Sequence, residues 1–377
     1  MTQNPHLEQV KTLRFYENER SAVSVAAEFG LQLSQIVDFS LNVNPFGPPA
    51  ASIAAARQTL QRGNDYPDLK LAALRRRLAQ RHGVPEDALF FGAGLDDVLK
   101  LILQAWVSEG DQVLVHLPTF PRYELEAQLR GAIVASVQSD PVWRIDVTAI
   151  RAKLTSARIA LAFLCTPNNP TAALIPTDDI AALAADFPDV LFVVDEALID
   201  PSQLGVVPLI GAHRNLIVLR TFSKYFGLAG ARVGYAIADP ALVSIAELVR
   251  PPFNVSLASA AAAAAALDDD DFLKMTREKF DAEAKFVLAF LDAHDAVRLR
   301  GRHGNMIFME LTELRAEAFL TAMARQGFLL ADGASFHGLE GTHTVRMSLR
   351  SRAENQRLVA AMERIFSGAG KCRSSTM

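Results

Sequence analysis

Three short runs of apolar residues, at positions 159–165, 190–194 and 215–220, constrain the fold of this chain more than any other feature. The runs do not alternate between apolar and polar residues, and helical stretches separate them. This pattern is typical of parallel strands in a sheet that helices cover on both faces. The sequence therefore predicts an α/β fold whose main domain is an α/β/α sandwich around a mostly parallel sheet.

A polar residue that could bind a ligand or take part in catalysis follows each of these runs. Asn169 follows the first run, Asp195 the second and Lys224 the third. Ligands of parallel α/β sheets bind outside the carboxyl ends of the strands. Taken singly, a lysine after a strand is usually a solvated surface residue, and an aspartate there usually forms a turn. The shared position of the three residues favours one common site.

The residues after the third run include a lysine that can react with an aldehyde and side chains that can bind an anion. Lys224 can hold an aldehyde as a Schiff base. Thr221, Ser223 and Arg232 can hold a phosphate, and glycines between them let the backbone approach a ligand closely. The 221–235 segment is therefore the strongest indication of chemistry in the sequence.

A further anion-binding feature is predicted earlier in the chain. An apolar strand at 89–91 leads through a Gly-Ala-Gly turn into a helix predicted over 95–106. Unpaired N–H groups and the positive end of the helix dipole meet at such a terminus. The backbone at Leu95 and Asp96 is thus a second candidate for a phosphate. A plain tight turn is the alternative, because the third glycine of a dinucleotide-binding motif is missing.

The length of 377 residues exceeds that of a usual single domain, so two domains are expected. The pattern places a large α/β domain at 45–250 and a smaller α+β domain at 251–377. Residues 1–44 are expected to join the smaller domain. The boundary follows from a Pro-Pro pair, after which an alanine-rich helix is predicted over 254–267 and a charged helix over 268–294.

Composition and charge argue against several other classes of function. The net charge of −4 and the pI near 6.1 give no electrostatic basis for binding nucleic acid or an anionic membrane. No apolar run could span a bilayer and no secretory signal is visible, so a cytoplasmic protein is expected. The eight histidines lack the spacing of metal ligands, and no metal site is predicted. Cys165 in a core-like strand and Cys372 in a polar tail are not expected to pair.

The 221–235 segment resembles the cofactor-lysine segment of the class I and II aminotransferases, fold-type I enzymes that bind pyridoxal 5'-phosphate (PLP). The resemblance covers nearly the whole chain and gives each candidate a role. Lys224 would hold the aldehyde and act as acid and base, and Asp195 would keep the pyridine nitrogen protonated. Phe120 would pack against the ring. The phosphate would be bound by the remaining candidates, Leu95, Asp96, Thr221, Ser223 and Arg232.

Four further residues gain roles from the same resemblance. Asn169, in Asn-Asn-Pro-Thr, would bond the 3-oxygen of the cofactor. Tyr66, in Asp-Tyr-Pro-Asp, would reach the cofactor phosphate of a neighbouring subunit, which implies a homodimer with shared active sites. Arg346, in Val-Arg-Met-Ser, would grip the α-carboxylate of an amino-acid substrate as a bidentate fork. The 38–49 segment resembles the one that lines the substrate pocket, with Asn44 as the contact.

The branch of the family is the finer question. The 38–49 segment and residues 346–355 most resemble threonine-phosphate decarboxylase, which is the first prediction. An aminotransferase of the histidinol-phosphate type is the alternative, and a non-catalytic PLP-fold binding protein is a second one. Decarboxylation and transamination differ in which bond at the α-carbon breaks, and Arg346 can hold the carboxylate for either.

Several positions depart from the family pattern. Leu198 stands where a tyrosine often bonds the 3-oxygen of the cofactor, and Ala172 replaces the glycine after Asn-Pro-Thr. Residues 15–19 stand where the decarboxylase has a His-Gly-Gly segment. A phosphorylated substrate would need further cations, for which Arg302 and Arg350 are candidates. These departures predict a specialised enzyme with an unusual substrate.

Overall fold

A computed structural model describes Leu13 and residues 20–373 of the chain. The strands of this described part are β1 (Val37–Asp38), β2 (Leu89–Gly92), β3 (Gln112–Leu117), β4 (Ile133–Gln138), β5 (Ile159–Cys165), β6 (Leu191–Asp195), β7 (Leu216–Thr221), β8 (Gly234–Ala238), β9 (Val297–His303), β10 (Met306–Leu311), β11 (Phe328–Leu329), β12 (Ala331–Asp332) and β13 (Thr344–Ser348).

The α-helices of the same part are α1 (Ala22–Phe29), α2 (Ala50–Leu60), α3 (Ala72–His82), α4 (Leu95–Trp106), α5 (Arg122–Leu129), α6 (Val147–Ser156), α7 (Thr177–Asp186), α8 (Pro240–Val249), α9 (Leu257–Ala266), α10 (Asp270–Asp292), α11 (Ala316–Ala324) and α12 (Arg352–Arg373). Short 3-10 helices connect several of these elements.

The large unit is built on a seven-stranded sheet in the order β2-β8-β7-β6-β5-β3-β4. Strands β7, β6, β5, β3 and β4 pair in parallel, whereas β8 runs antiparallel to both of its neighbours. The predicted α/β fold with a mostly parallel sheet is confirmed. The three runs that predicted it are β5, β6 and β7, side by side at the centre.

Strand β5 shows why the apolar runs do not alternate. Leu161, Phe163 and Cys165 pack in one hydrophobic core, while Ala162 and Leu164 pack in the core on the opposite face. Helices α4, α5 and α8 cover the first core, and α3, α6, α7 and α9 cover the second. Because both faces of the strand are buried, every position along it is apolar.

The small unit is an α+β layer around a four-stranded antiparallel sheet in the order β12-β13-β10-β9. Helices α10, α11 and α12 share a third hydrophobic core with this sheet. Strand β1, which leads into the 38–49 segment, pairs in parallel with β11. This pairing attaches the start of that segment to the small unit.

The alanine-rich helix packs with the large unit. Helix α9 is shorter than the 254–267 predicted, and Ala262, Ala263 and Ala266 are buried in a core of the large sheet. It packs against α2, since small side chains let two helices approach closely. Helix α9 follows the predicted boundary at residue 251 but packs with the large sheet, and the boundary itself stays a prediction.

None of the helices in the described part is both long and apolar enough to cross a bilayer. The described residues also contain no group of three His, Cys, Asp or Glu side chains that could hold a metal ion. Residues 15–19 and the side chain of Cys372, which entered the sequence analysis, lie outside what the structure describes.

Candidate active site

One cavity of about 200 Å³ lies at the carboxyl ends of β5, β6 and β7. It brings together ten of the predicted site residues, which are Leu95, Asp96, Phe120, Asn169, Asp195, Thr221, Ser223, Lys224, Arg232 and Arg346. Asn44 and Tyr66 are not among the residues that line it. The convergence predicted from the strand ends is therefore present in the fold.

Lys224 lies three residues beyond the end of β7. Its Nζ donates a hydrogen bond to the main-chain carbonyl of Asn42 at 2.7 Å. Burial lowers the pKa of Lys224 to about 8, and the nearby charge of Arg346 acts in the same direction. An amine with this pKa is partly neutral near neutral pH, so it can attack an aldehyde or accept a proton.

Asp195 ends β6 and is only 4% exposed. The hydroxyl of Tyr123 donates to its Oδ2 at 2.6 Å, and the N–H of Ala197 donates to its Oδ1 at 2.8 Å. Burial raises the pKa of Asp195, and the bond from Tyr123 opposes that effect. A carboxylate fixed by two donors is suited to hold the proton of a ring nitrogen.

Tyr123 is a site residue that the sequence analysis missed. It lines the cavity and stacks on Phe163, with ring centroids 4.7 Å apart. Burial raises the pKa of its phenol, so the hydroxyl stays protonated and donates to Asp195. A signal was present, because Tyr123 lies at the start of α5, only three residues after the ring-packing candidate Phe120.

The phosphate side of the cavity begins at the N-terminus of α4. Gly94 precedes the helix with φ of 87°, and no side chain caps the terminus. A Cβ on Gly94 would lie 2.4 Å from Nη2 of Arg232, and one on Gly234 would lie 2.6 Å from the nitrogen of Leu95. The two glycines thus let Arg232 and strand β8 approach a helix terminus whose N–H groups can bind an anion.

Hydroxyls and a guanidinium complete this side. Thr221 Oγ1 donates to Ser223 Oγ at 3.0 Å, and the N–H of Ser223 donates back to Thr221 Oγ1 at 3.1 Å. Nη2 of Arg232 lies 3.5 Å from a carboxylate oxygen of Asp96, which helps to hold the guanidinium at the turn. Backbone N–H groups, hydroxyls and a cation in one corner fit a phosphate.

Arg346 lies on β13 and enters the same cavity from the small unit. Its Nη1 donates to Oδ1 of Asn169 at 2.6 Å, and its Nη2 donates to the main-chain carbonyl of Ser40. The guanidinium also lies 5.6 Å from the ring centroid of Phe336. The arginine predicted to bind the substrate thus contacts Asn169, which is predicted to bind the cofactor.

Asn44, the predicted substrate contact, is bonded to other groups of the chain. Its Nδ2 donates to the carbonyl of Tyr225 at 2.8 Å, and its Oδ1 accepts from the N–H of Phe46 at 2.9 Å. Both ends of the amide are therefore used to fix the chain. The residues of the 38–49 segment that do line the cavity lie earlier, at Ser40, Leu41 and Asn42.

Tyr66 lies on the surface of the single chain. Its side chain is 78% exposed and stacks on Phe253, with ring centroids 4.6 Å apart. The role predicted for Tyr66 requires a second subunit, and it stays a prediction.

A buried ion pair, also missed from the sequence, lies directly behind the cavity. Nη2 of Arg220 lies 2.7 Å from Oε2 of Glu196, and the two side chains are 3% and 2% exposed. Arg220 also donates to the carbonyls of Gln203 and Leu204. Asp195 and Glu196 are adjacent in the chain, yet Asp195 lines the cavity whereas Glu196 forms its ion pair with Arg220 in the interior.

Two of the departures from the family pattern contact each other. Leu198, which lines the cavity, packs with Ala172 and Met306 in a small buried cluster. The candidate cations for a phosphorylated substrate are engaged elsewhere. Arg302 pairs with Asp281 at 2.6 Å and Arg350 with Glu354 at 3.0 Å, so neither is among the cavity residues.

Comparison with known proteins places this arrangement in a family. Residues 34–362 match the model of the family "Aminotransferase class I and II". A histidinol-phosphate aminotransferase of Brevibacillus brevis is 33% identical over 364 residues, covering 94% of this chain and 97% of the relative.

Two solved structures share the fold. A histidinol-phosphate aminotransferase from Sinorhizobium meliloti, in complex with pyridoxal-5'-phosphate, has a TM-score of 0.85 at 23% identity and covers 98% of both chains. An L-threonine-O-3-phosphate decarboxylase from Porphyromonas gingivalis has a TM-score of 0.77 at 23% identity, covering 88% of this chain and all of its own (100%).

The family model spans most of the chain, and the cavity holds a lysine, a buried carboxylate and a corner whose groups fit an anion. The predicted fold type, enzyme class and cofactor are thereby confirmed. The chain belongs to the class I and II aminotransferases and is a PLP-dependent enzyme of fold type I.

Proposed function

We propose that this enzyme is an aminotransferase of the histidinol-phosphate type. The observation that carries the proposal is the 33% identity to an aminotransferase of that name over nearly the full length of both chains. Several other bacterial and archaeal relatives carry the same name. The likeness to the decarboxylase, at 23% identity, concerns the fold alone. The comparisons therefore favour the alternative over the decarboxylase that the 38–49 segment suggested.

The large unit would hold the cofactor. Bound PLP supplies an electron-withdrawing ring that stabilises negative charge on the reacting carbon of the substrate. Asp195, kept in place by Tyr123 and Ala197, would hold the proton of the ring nitrogen. The terminus of α4, with Thr221, Ser223 and Arg232, would bind the phosphate. Asn169 can donate from Nδ2 to the ring oxygen, because its Oδ1 already accepts from Arg346.

Arg346 and Lys224 would act on the substrate. The guanidinium of Arg346 can bind a carboxylate or a phosphate through two parallel hydrogen bonds, which orients the substrate for reaction. Lys224, with a pKa lowered to about 8 by burial, would take the proton from the reacting carbon in its neutral form. It would then return that proton to complete the transfer of the amino group.

The test separates the two reactions by their products. Purified holoenzyme is incubated with histidinol phosphate and a 2-oxo acid, and in parallel with O-phosphothreonine, while the new amino acid and trapped CO2 are measured. The proposal expects the 2-oxo acid to gain the amino group of histidinol phosphate, without CO2 from either substrate. Release of CO2 with a primary amine from O-phosphothreonine would overturn it in favour of the decarboxylase.

We also propose that two copies form a dimer with shared active sites through Tyr66. An aromatic side chain that is 78% exposed and held by a stack on Phe253 is suited to enter a site on a second copy. A Lys224→Ala chain and a Tyr66→Ala chain are unfolded together, refolded and assayed. Random mixing yields half mixed dimers with one intact site each, so about a quarter of the wild-type activity should return. Dimers that form but stay inactive would contradict the sharing.

A further inference from the structure

Asn168 is fully buried, at 0% exposure, and its side-chain amide is bonded to three groups of the chain itself. Its Nδ2 donates to the carbonyl of Pro118 at 2.9 Å and to Oγ1 of Thr171 at 2.8 Å. Its Oδ1 accepts a hydrogen bond from Oγ1 of Thr119 at 2.8 Å. Both N–H groups and the oxygen of the amide are therefore engaged, as buried polar groups usually are. The role of Asn168 must lie in the parts of the chain that it joins.

The amide joins the loops that follow two neighbouring strands. Strands β3 and β5 pair in parallel. Thr119 lies two residues after the end of β3, and Asn168 lies three residues after the end of β5. The hydrogen bond between Thr119 and Asn168 thus connects the chain beyond the paired part of the sheet. The bond to Thr171 differs, because it stays within the loop that carries Asn168.

Both ends of this connection adjoin residues of the cavity. Thr119 is 2% exposed and immediately precedes Phe120, and Asn168 immediately precedes Asn169. Phe120 and Asn169 line the cavity, where the first is predicted to pack against the cofactor ring and the second to bond its 3-oxygen. Consecutive Cα atoms lie about 3.8 Å apart across a planar peptide, so a shift of Thr119 or Asn168 also moves the cavity residue beside it.

We infer that Thr119 is a positioning residue, whose hydroxyl fixes Phe120 relative to Asn169 through the amide of Asn168. This role rests on the proposed PLP site, in which Phe120 and Asn169 contact the ring, and it is independent of which bond of the substrate breaks. Without the hydroxyl, Oδ1 of Asn168 would lose its partner in the interior. The two loops would then lose a bond that holds the two contacts of the ring at a fixed separation.

The experiment measures the bound cofactor, not the reaction. Visible circular dichroism of the holoenzyme reports how the ring of PLP is held, and the dissociation constant of PLP is determined beside it. Thr119→Val keeps the shape of the side chain and removes the hydroxyl, and Thr119→Ala is a second variant without it. Thr119→Ser keeps the hydroxyl. Thr171→Val is the matched control, since it also removes one buried partner of Asn168 but leaves the bond to Thr119 intact.

Thr119→Val and Thr171→Val should lower the melting temperature of the apoprotein by similar amounts, because each leaves one group of Asn168 unpaired. Thr119→Val and Thr119→Ala should in addition change the circular dichroism band and weaken PLP binding roughly fivefold, as expected for one hydrogen bond. Thr119→Ser and Thr171→Val should retain the wild-type band and affinity. A wild-type band and affinity in Thr119→Val, or an equal change in Thr171→Val, would overturn the positioning role.

Asn169→Ala separates this role from the proposed cofactor site. A changed band in Asn169→Ala beside an unchanged one in Thr119→Val would overturn the role of Thr119 and leave that of Asn169 standing. An unchanged band in Asn169→Ala would refute the contact of Asn169 with the ring, and the role of Thr119 with it. Because the bound cofactor is measured, CO2 release in the product assay would refute the proposed reaction and leave these results standing.

Discussion

Two buried arginines, Arg220 and Arg346, show how differently one protein can use the same side chain. Both lie on strands and are almost equally buried, at 3% and 4% exposure. Arg220 pairs with the carboxylate of Glu196 in the interior. Arg346 donates to neutral oxygens of Asn169 and Ser40, and its charge lowers the pKa of Lys224 across the cavity. Burial alone therefore does not separate the arginine of an interior ion pair from the arginine proposed to bind the substrate, and the two differ in their partners and in whether they line the cavity.

The largest expected effect tests the structural member of this pair. Replacement of Arg220 by Met leaves the carboxylate of Glu196 buried without its cation, which should cost about 3–5 kcal/mol of unfolding free energy. Urea denaturation followed by circular dichroism measures the loss. The double variant Arg220→Met with Glu196→Gln should recover part of it. Wild-type stability in Arg220→Met would mean that the ion pair does not hold the fold.

The second prediction tests the functional member. Arg346→Met should raise the KM for the substrate roughly hundredfold, because a bidentate charge-assisted contact to its anion is lost. Its unfolding free energy should change far less than that of Arg220→Met. Steady-state kinetics and the same denaturation assay provide both numbers. A large loss of stability with an unchanged KM would reverse the assignment of the two arginines.

The third prediction concerns pH. The pKa of Lys224 is lowered to about 8, so the amine is protonated below pH 8 and neutral above it. The rate at which apoprotein captures PLP should therefore rise with pH and level off above about pH 8. Arg346→Met removes a nearby positive charge, so it should raise this pKa and shift the profile to higher pH. Stopped-flow absorbance checks this, with Arg346→Lys as the variant that keeps the charge.

The smallest predicted effect concerns Tyr123, whose hydroxyl donates a hydrogen bond to Asp195. Tyr123→Phe removes the donor that opposes the rise in the pKa of Asp195, so that pKa should rise further. The carboxylate would then become protonated at a higher pH than in wild-type enzyme, and the acid limb of the kcat/KM profile should shift to higher pH. At neutral pH a loss of about tenfold is expected, since a hydrogen bond to a charged group contributes about 1.5 kcal/mol or more. An unchanged profile would show that Tyr123 only packs.

The cofactor side of the cavity could be predicted from the sequence because its residues follow strands. Asn169, Asp195 and Lys224 each end or follow an apolar run, and parallel strands bring such ends together without further information. Tyr123 was also within reach, through its spacing from Phe120. The seven-stranded sheet followed from the same local pattern.

The substrate side could not be predicted in the same way. Ser40 and Asn42 contact Arg346 and Lys224 through main-chain carbonyls, which every residue carries. No residue type marks such contacts, and they depend on the docking of β1 against β11, nearly 300 residues away in the chain (37 to 328). The role of Asn44 as the substrate contact stays a prediction, although Ser40, Leu41 and Asn42 are the residues of this segment that line the cavity. The core that α9 joins is also not marked in the sequence, because an alanine-rich helix fits any closely packed surface.

The main-chain carbonyls of Ser40 and Asn42 also limit the length of a molecule that can bind between Arg346 and Lys224. Arg346 and Lys224 are held by main-chain groups two residues apart, and two residues of chain reach at most about 7 Å. A molecule that replaces both bonds must present its anionic group and its amine within a similar reach. Compounds with the amine next to the anion-bearing carbon meet this condition, and long ω-amino acids in extended form exceed it. A short stretch of backbone is thereby expected to favour substrates whose amine lies close to their anionic group.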